Sequence, residues 1–452
     1  MRRLVLCAGL MAALLPSQVD AQSPILKEAE AASPQSESQD PVSPTEGWTL
    51  SAAVTAALEN HPLIDAARAR IDAARGSRLS AGAFPNPSVT YWVENTGFPG
   101  QRIPTSLDRE TSLYATLPLE PLLQRPARVR RAEEELHAAD ARLRIARRQV
   151  ASDAVRAFYR VALAQAAVEG ADANRAGLEA LVTYNRARVA EGVTAEGDLI
   201  RVQVEAERVA TDAVLARVEL ARAVADLRAF VGGAAGVPSG PLRVMVAPEA
   251  VVSGPVSGLD QVVRQARDTR PELLEARARL AGATADTNYE RSLKFRQLGA
   301  TVGVKRVAGV NSMIGGVSLT VPLFDTNRGG VQRAAAERIA AGHDLASAER
   351  AVAADVEAAY EAARQLSQHV AVLQRSFLDR AEESRRITLA AYQEGATTLL
   401  QVLDTSRTLF DARLTFYKSL FAQRQSTFDL AVAGGSEPEA ALTLVQSAGG
   451  SR

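Results

Sequence analysis

The sequence predicts a mainly helical chain with a small membrane β part, in which one structural plan occurs twice. Three observations carry this reading. The stretch Arg188-Val-Ala-Glu-Gly-Val-Thr-Ala-Glu-Gly-Asp-Leu-Ile-Arg201 returns as Ala391-Tyr-Gln-Glu-Gly-Ala-Thr-Thr-Leu-Leu-Gln-Val-Leu-Asp404. Each copy is preceded by a long proline-free helical pattern, from about Pro126 to Glu191 and from about Gly329 to Glu394, a rod of roughly 100 Å at 1.5 Å per residue. Ahead of each rod lie two short runs whose apolar residues alternate with polar ones, the period of a strand with one wet face.

In chain order, Met1 to Ala21 combines Arg2 and Arg3, an apolar run from Leu4 to Leu15 and the small-residue site Val19-Asp20-Ala21, which reads as a signal peptide (1–21). Cys7, the single cysteine, lies inside it, so disulfides and thiolate metal sites are excluded from the mature chain. Residues 22–46 are rich in Pro, Ser, Glu and Gln and have little to bury, the composition of an extended or disordered lead-in. The first repeat is expected over 47–232 and the second over 259–435, each opening on an amphipathic helix broken by proline, at Pro62 and at Pro271.

The strands follow. Ser88 to Glu94 and Thr111 to Leu119 are expected to form one hairpin, with a polar loop around Asn95 to Arg109. Gly299 to Lys305 and Gly315 to Leu323 form the other, looped at Arg306 to Asn311. Pro118 and Pro322 close the second strand of each pair and mark the junction from barrel to helix.

At the repeated turn, Gly192 and Gly395 supply the positive φ that ends a helix, and Thr398 with Gln401 reads as a capping box opening the next. The return helices carry heptad seams. Leu199, Ala206, Ala213, Leu220 and Leu227 stand beside Val202, Val209, Ala216, Ala223 and Phe230. In the second repeat Leu403, Phe410 and Tyr417 stand beside Leu400, Leu414, Phe421 and Phe428. Residues 233–258, rich in Gly, Pro and Val, are a linker with a short strand at Leu242 to Val246, and 436–452 are expected to be a flexible tail.

No stretch approaches the roughly 18 consecutive apolar residues of a membrane helix, so any spanning is done by strands. Four strands cannot close a barrel, and an open edge in lipid leaves backbone groups unpaired. Three chains sharing twelve strands solve both problems and gather the hairpins into a matching α-helical barrel. A homotrimer is therefore expected, with outer-membrane lipid around its β part.

The duplicated order of helix, strand hairpin, long helix, tip and return helix, with Gly-x5-Asp-Leu at Gly192 to Leu199, resembles the TolC-like outer-membrane efflux ducts over about residues 48–435. Pro322-Leu-Phe-Asp-Thr-Asn-Arg-Gly329 is similar to a segment of the heavy-metal cation (cobalt-zinc-cadmium) branch, with relatives in drug-efflux members. The resemblance implies a passive duct of a tripartite system, meeting a periplasmic adaptor and an inner-membrane pump of RND type. It implies carboxylates at a periplasmic gate at Asp198 and Asp404, a gate tyrosine at Tyr392, and an adaptor-facing tip at Arg188, Gly192 and Gly395. The family's arginine two residues after the second glycine is Thr397 here, and one ring aspartate is Gln401, so the gate network is thinned.

Other classes find little support. Lys+Arg and Asp+Glu are balanced at 52 each, which leaves no basic field for nucleic acid. His61, His137, His343 and His369 form no i, i+4 pair, and no nucleophile motif, phosphate loop or zinc signature is present, so no enzyme, cofactor or resident metal is expected. A periplasmic adaptor would show one helical hairpin and biotinyl-like β segments. A secreted coiled-coil structural protein is separated from the duct by heat-modifiable trimer migration and outer-membrane fractionation.

Overall fold

The computed structural model describes residues 47–97, 99–102, 104, 108–231, 242–246, 257–294 and 297–447. The signal peptide and the lead-in lie outside them, as does most of the 233–258 linker. Within the linker, Val244 makes a parallel β-bridge to Trp48.

The first repeat contains α1 (Leu50–Asn60), α2 (Pro62–Gly82), β1 (Ser88–Glu94), β2 (Glu110–Pro118), α3 (Pro121–Ala190) and α4 (Glu196–Val231). The second contains α5 (Leu259–Thr269), α6 (Pro271–Ser292), β3 (Leu298–Val307), β4 (Val310–Leu319), α7 (Arg328–Gln393) and α8 (Leu399–Ala433), followed by α9 (Pro438–Ser447). Pro62 and Pro271 each open a helix, where the missing N–H costs nothing. At the first break His61 caps α2, its Nδ1 accepting from the Leu63 N–H at 3.2 Å, while its ring stacks on Phe230.

With 70 residues, α3 is roughly 105 Å long. It starts five residues earlier than expected and runs through Pro126, giving up the hydrogen bond that this residue's nitrogen would have made to the Leu122 carbonyl. α3 packs along α4 and α7 along α8, forming two hairpins.

A core of Val54, Phe158, Leu227, Leu420 and Phe428, each 4% exposed or less, joins α1, α3, α4 and α8 near the middle of the rods. Each such side chain contributes about 1.5–3 kcal/mol. α9 completes this core with Ala441, Leu442 and Val445. The tail expected to be flexible is thus largely a helix, because three apolar residues at i, i+1 and i+4 give it a face to bury.

The strands form one antiparallel sheet in the order β1-β2-β3-β4, so the β2–β3 pairing joins the two repeats. Register places Tyr91 beside Leu113, Leu113 beside Val304, and Val304 beside Met313, one apolar face continued by Val89, Ala115, Val302 and Val317. The opposite face carries Thr90, Ser112, Thr116, Thr301 and Ser318, with Thr116 and Thr301 hydroxyls 3.0 Å apart. β1 and β4 are edges.

β4 differs from expectation. A two-residue turn at Ala308-Gly309, with φ of 50° and 81°, closes the second hairpin and shifts β4 to Val310–Leu319. Positive φ at both positions matches the strand twist, and Val307 pairs with Val310 across it. Pro118 is the last residue of β2, whereas Pro322 lies beyond β4 in the connection to α7.

Candidate functional site at the helical tips

Both tips are built alike. Gly192 has φ of 73° and Gly395 of 76°. Val193 N–H donates to the Arg188 carbonyl at 2.9 Å, and Ala396 N–H to the Ala391 carbonyl at 2.8 Å, the long return bond that closes a helix on a left-handed glycine. The capping box is not formed. Thr398 starts α8 without a side-chain cap bond, and the Gln401 side chain turns to the Thr397 hydroxyl instead.

Just behind the tips, side chains tie one hairpin to the other. Tyr392, on α7 and 6% exposed, donates from its hydroxyl to the Asn185 Oδ1 on α3 at 2.6 Å, and Asn185 donates to the Leu181 carbonyl at 2.9 Å. Tyr184 meets Tyr392 edge-on, with ring centroids 6.1 Å apart. Burial pushes the Tyr392 phenol above its ordinary range. The Asn185 bond and the Arg188 charge pull it back, while the Asp198 carboxylate adds to the rise. Arg188 lies over the Tyr184 ring, 5.5 Å from its centroid, and donates to the Tyr184 hydroxyl at 3.1 Å. Part of the tip arginine is therefore turned inward.

One helical turn further from the tip stands an ion cluster that sequence reading missed. Glu205 on α4 is 7% exposed and accepts from two guanidinia at once. Arg407 on α8 reaches its two oxygens at 2.9 and 2.5 Å, and Arg208 on α4 at 3.1 and 2.7 Å. These bonds hold the carboxyl down at about 2, against an ordinary 4.5, and outweigh its burial. The Glu205–Arg407 contact joins the hairpins across more than 200 positions of sequence. The available signal was local: Glu205 sits three residues after Val202 and four before Val209, on the buried seam, where a carboxylate needs a partner.

The two expected gate carboxylates are not members of that pair, though Asp404 shares a groove with Glu205 and Arg407. Asp198 is in the first turn of α4, where the helix dipole favours an acid, and lies 3.7 Å from Arg201. Asp404 is exposed on α8, beside an open groove shared by Ile200, Val204, Leu400 and Arg407. Arg407 is raised above its ordinary value chiefly by its bond to Glu205, and the Asp404 charge adds a smaller push in the same direction. Among the described residues, no group of three or more His, Cys, Asp or Glu side chains is placed to hold a metal ion.

The sequence pattern of the outer membrane efflux protein family matches residues 53–233 and 262–436, two blocks that follow the two repeats seen here. The chain belongs to that family. This efflux protein is located in the outer membrane, with its helical hairpins on the periplasmic side. It is 27% identical over 428 residues to the cobalt-zinc-cadmium resistance protein CzcC of Cupriavidus metallidurans, an alignment covering 92% of this chain and 95% of CzcC. It is 28% identical over 277 residues to the nickel-cobalt-cadmium resistance protein NccC of Alcaligenes xylosoxydans xylosoxydans, 60% of each chain. The crystal structure of CusC shares the fold, with a TM-score of 0.72 at 18% identity over 86% of this chain and 92% of CusC.

Proposed function

We propose that three copies of this chain form a passive duct, one twelve-strand barrel continued by a cylinder of helical hairpins, that carries heavy-metal cations outward from a periplasmic adaptor and an inner-membrane pump. The observation that carries the assembly is the sheet itself. Its apolar face requires lipid, yet β1 and β4 each leave a strand edge open, which a bilayer does not tolerate. A threefold arrangement pairs each β4 with a neighbouring β1 and turns the polar face toward the bore.

The chemistry is conduction rather than catalysis. At the periplasmic end, the Tyr392–Asn185 and Glu205–Arg407 contacts hold the hairpins of one protomer together. A threefold axis gathers three copies of Asp404 near the bore, a ring that attracts cations. Substrate class rests on the near full-length likeness to CzcC, a cobalt-zinc-cadmium resistance protein by name. The test is deletion of the protein from its own host, followed by growth on cobalt, zinc and cadmium salts. Metal sensitivity restored by complementation is expected; sensitivity to dyes or antibiotics alone would place the duct in a drug-export system.

A further inference from the structure

The connection from β4 to α7 presents a large apolar side chain in a position held from both sides. Phe324 is 100% exposed and Leu323 75% exposed. Upstream, Thr320 N–H donates to the Gln297 carbonyl at 3.0 Å and Leu323 N–H to the Val321 carbonyl at 2.9 Å. Downstream, Asp325 Oδ1 accepts from the Asn327 N–H at 2.9 Å, and Asn327, with φ of 58°, donates from Nδ2 to the carbonyl and carboxylate of Glu290, both at 2.7 Å. Asp-Thr-Asn is thus a turn that launches α7. It leaves Leu323-Phe324 projecting from a fixed backbone, so the exposure is not that of a loose loop. Among the described residues nothing covers this phenylalanine.

The same level of the fold carries further exposed apolar groups on the first repeat. Leu122 and Leu123 open α3, 64% and 53% exposed, immediately after β2, and Phe84, 57% exposed, lies between α2 and β1. Phe84 is held under the Arg125 guanidinium at 5.1 Å, while Arg125 Nε donates to the Gly82 carbonyl at 2.8 Å. These groups lie at one end of the sheet, where β2 ends at Pro118 and β4 at Leu319 and the apolar face of the strands stops.

We propose that Leu323 and Phe324, with Phe84, Leu122 and Leu123, form a collar that inserts into the acyl chains of the periplasmic leaflet, with Arg125 at its headgroup edge. The Pro322-Leu-Phe-Asp-Thr-Asn segment then has two mechanical roles, membrane contact at Leu-Phe and helix launching at Asp-Thr-Asn. Neither role depends on which substrate is exported. The inference rests on the outer-membrane placement of the β part and not on the cargo.

The test uses the full chain reconstituted in vesicles of phosphatidylethanolamine and phosphatidylglycerol with brominated acyl chains, which quench tryptophan on contact. Trp48 and Trp92, the chain's two tryptophans, are replaced by Phe, and F324W is compared with V317W on the apolar sheet face and S112W on the polar face. Expected are blue-shifted emission and strong quenching by bromolipid at 324 and 317, with no quenching at 112. Quenching at 317 but not at 324 overturns the collar while leaving the barrel intact. Access of 324 to aqueous iodide would mean that it faces water, and protection from both quenchers would mean that a neighbouring protomer covers it. Quenching at neither 324 nor 317 overturns the membrane placement itself. F324C carrying a nitroxide gives a second readout, since Cys7 lies in the expected signal peptide; greater collision with oxygen than with a water-soluble nickel chelate is expected, and the reverse contradicts insertion.

Discussion

Replacing Arg407 with alanine should release the tips while leaving the rods intact. The two arginines hold the Glu205 carboxyl at about 2 rather than 4.5, a preference for the paired form of about 3 kcal/mol. Arg208 remains on Glu205 in the variant, so the buried carboxylate keeps a partner and the loss is about half of that, roughly 1–2 kcal/mol. Arg208 lies on the same helix as Glu205, whereas Arg407 reaches from the other hairpin, so the lost half is the part that joins them. If the contact exists in the closed state and is broken on opening, the closed-to-open ratio falls by about 5–30-fold. Single-channel recording in planar bilayers reads this as a rise in open probability. The control is Arg413→Ala, which removes an arginine from the same helix but breaks a 2.6 Å pair to Glu382 within the second hairpin. Equal behaviour of the two variants, or no change with Arg407→Ala, would refute the reasoning.

Three further predictions concern the same region. Trivalent cations added on the periplasmic side should block conductance, and Asp404→Ala should relieve the block more than Asp198→Ala; an unchanged block would make Asp404 a solvated helix residue. Tyr392→Phe leaves the buried Asn185 oxygen without its donor and should cost about 1–2 kcal/mol, read as a lower thermal midpoint; an unchanged midpoint would mean that this bond does not hold the tips. The folded pKa of Glu205 is depressed, so its contribution is complete above the unfolded value near 4.5 and is lost as pH falls toward about 2. Thermal midpoints measured from pH 7 to 3 should therefore fall more steeply below pH 4.5 in the parent than in Glu205→Gln, and parallel curves would contradict the assignment.

Much of the architecture was legible because it is written in local signals. Gly192 and Gly395 announce the tips, since only a left-handed residue closes a helix in that way. The alternation in β1 to β4 gave the apolar face, because side-chain period in a strand is fixed by covalent geometry. Phase errors arose where local patterns compete. Leu400 was placed on the α8 seam yet is 63% exposed, because Leu399, Val402, Leu403 and Ser406 take the buried face. β4 slipped because Ala308-Gly309 makes a tighter turn than the polar loop expected around it. The Glu205–Arg407 and Tyr392–Asn185 contacts were invisible for another reason. Pairs separated by about half the chain leave no periodicity, and only the misfit of Glu205 on an apolar seam hinted at a partner.

The central claim is that one four-stranded sheet is a third of a barrel, and the most direct measurement is the mass of the purified protein in mild detergent. Light scattering corrected for bound detergent should give three chains of 48.0 kDa each, less the expected signal peptide, with sheet content retained. A stable, folded monomer with β1 and β4 unpaired would contradict the shared barrel, and with it the duct.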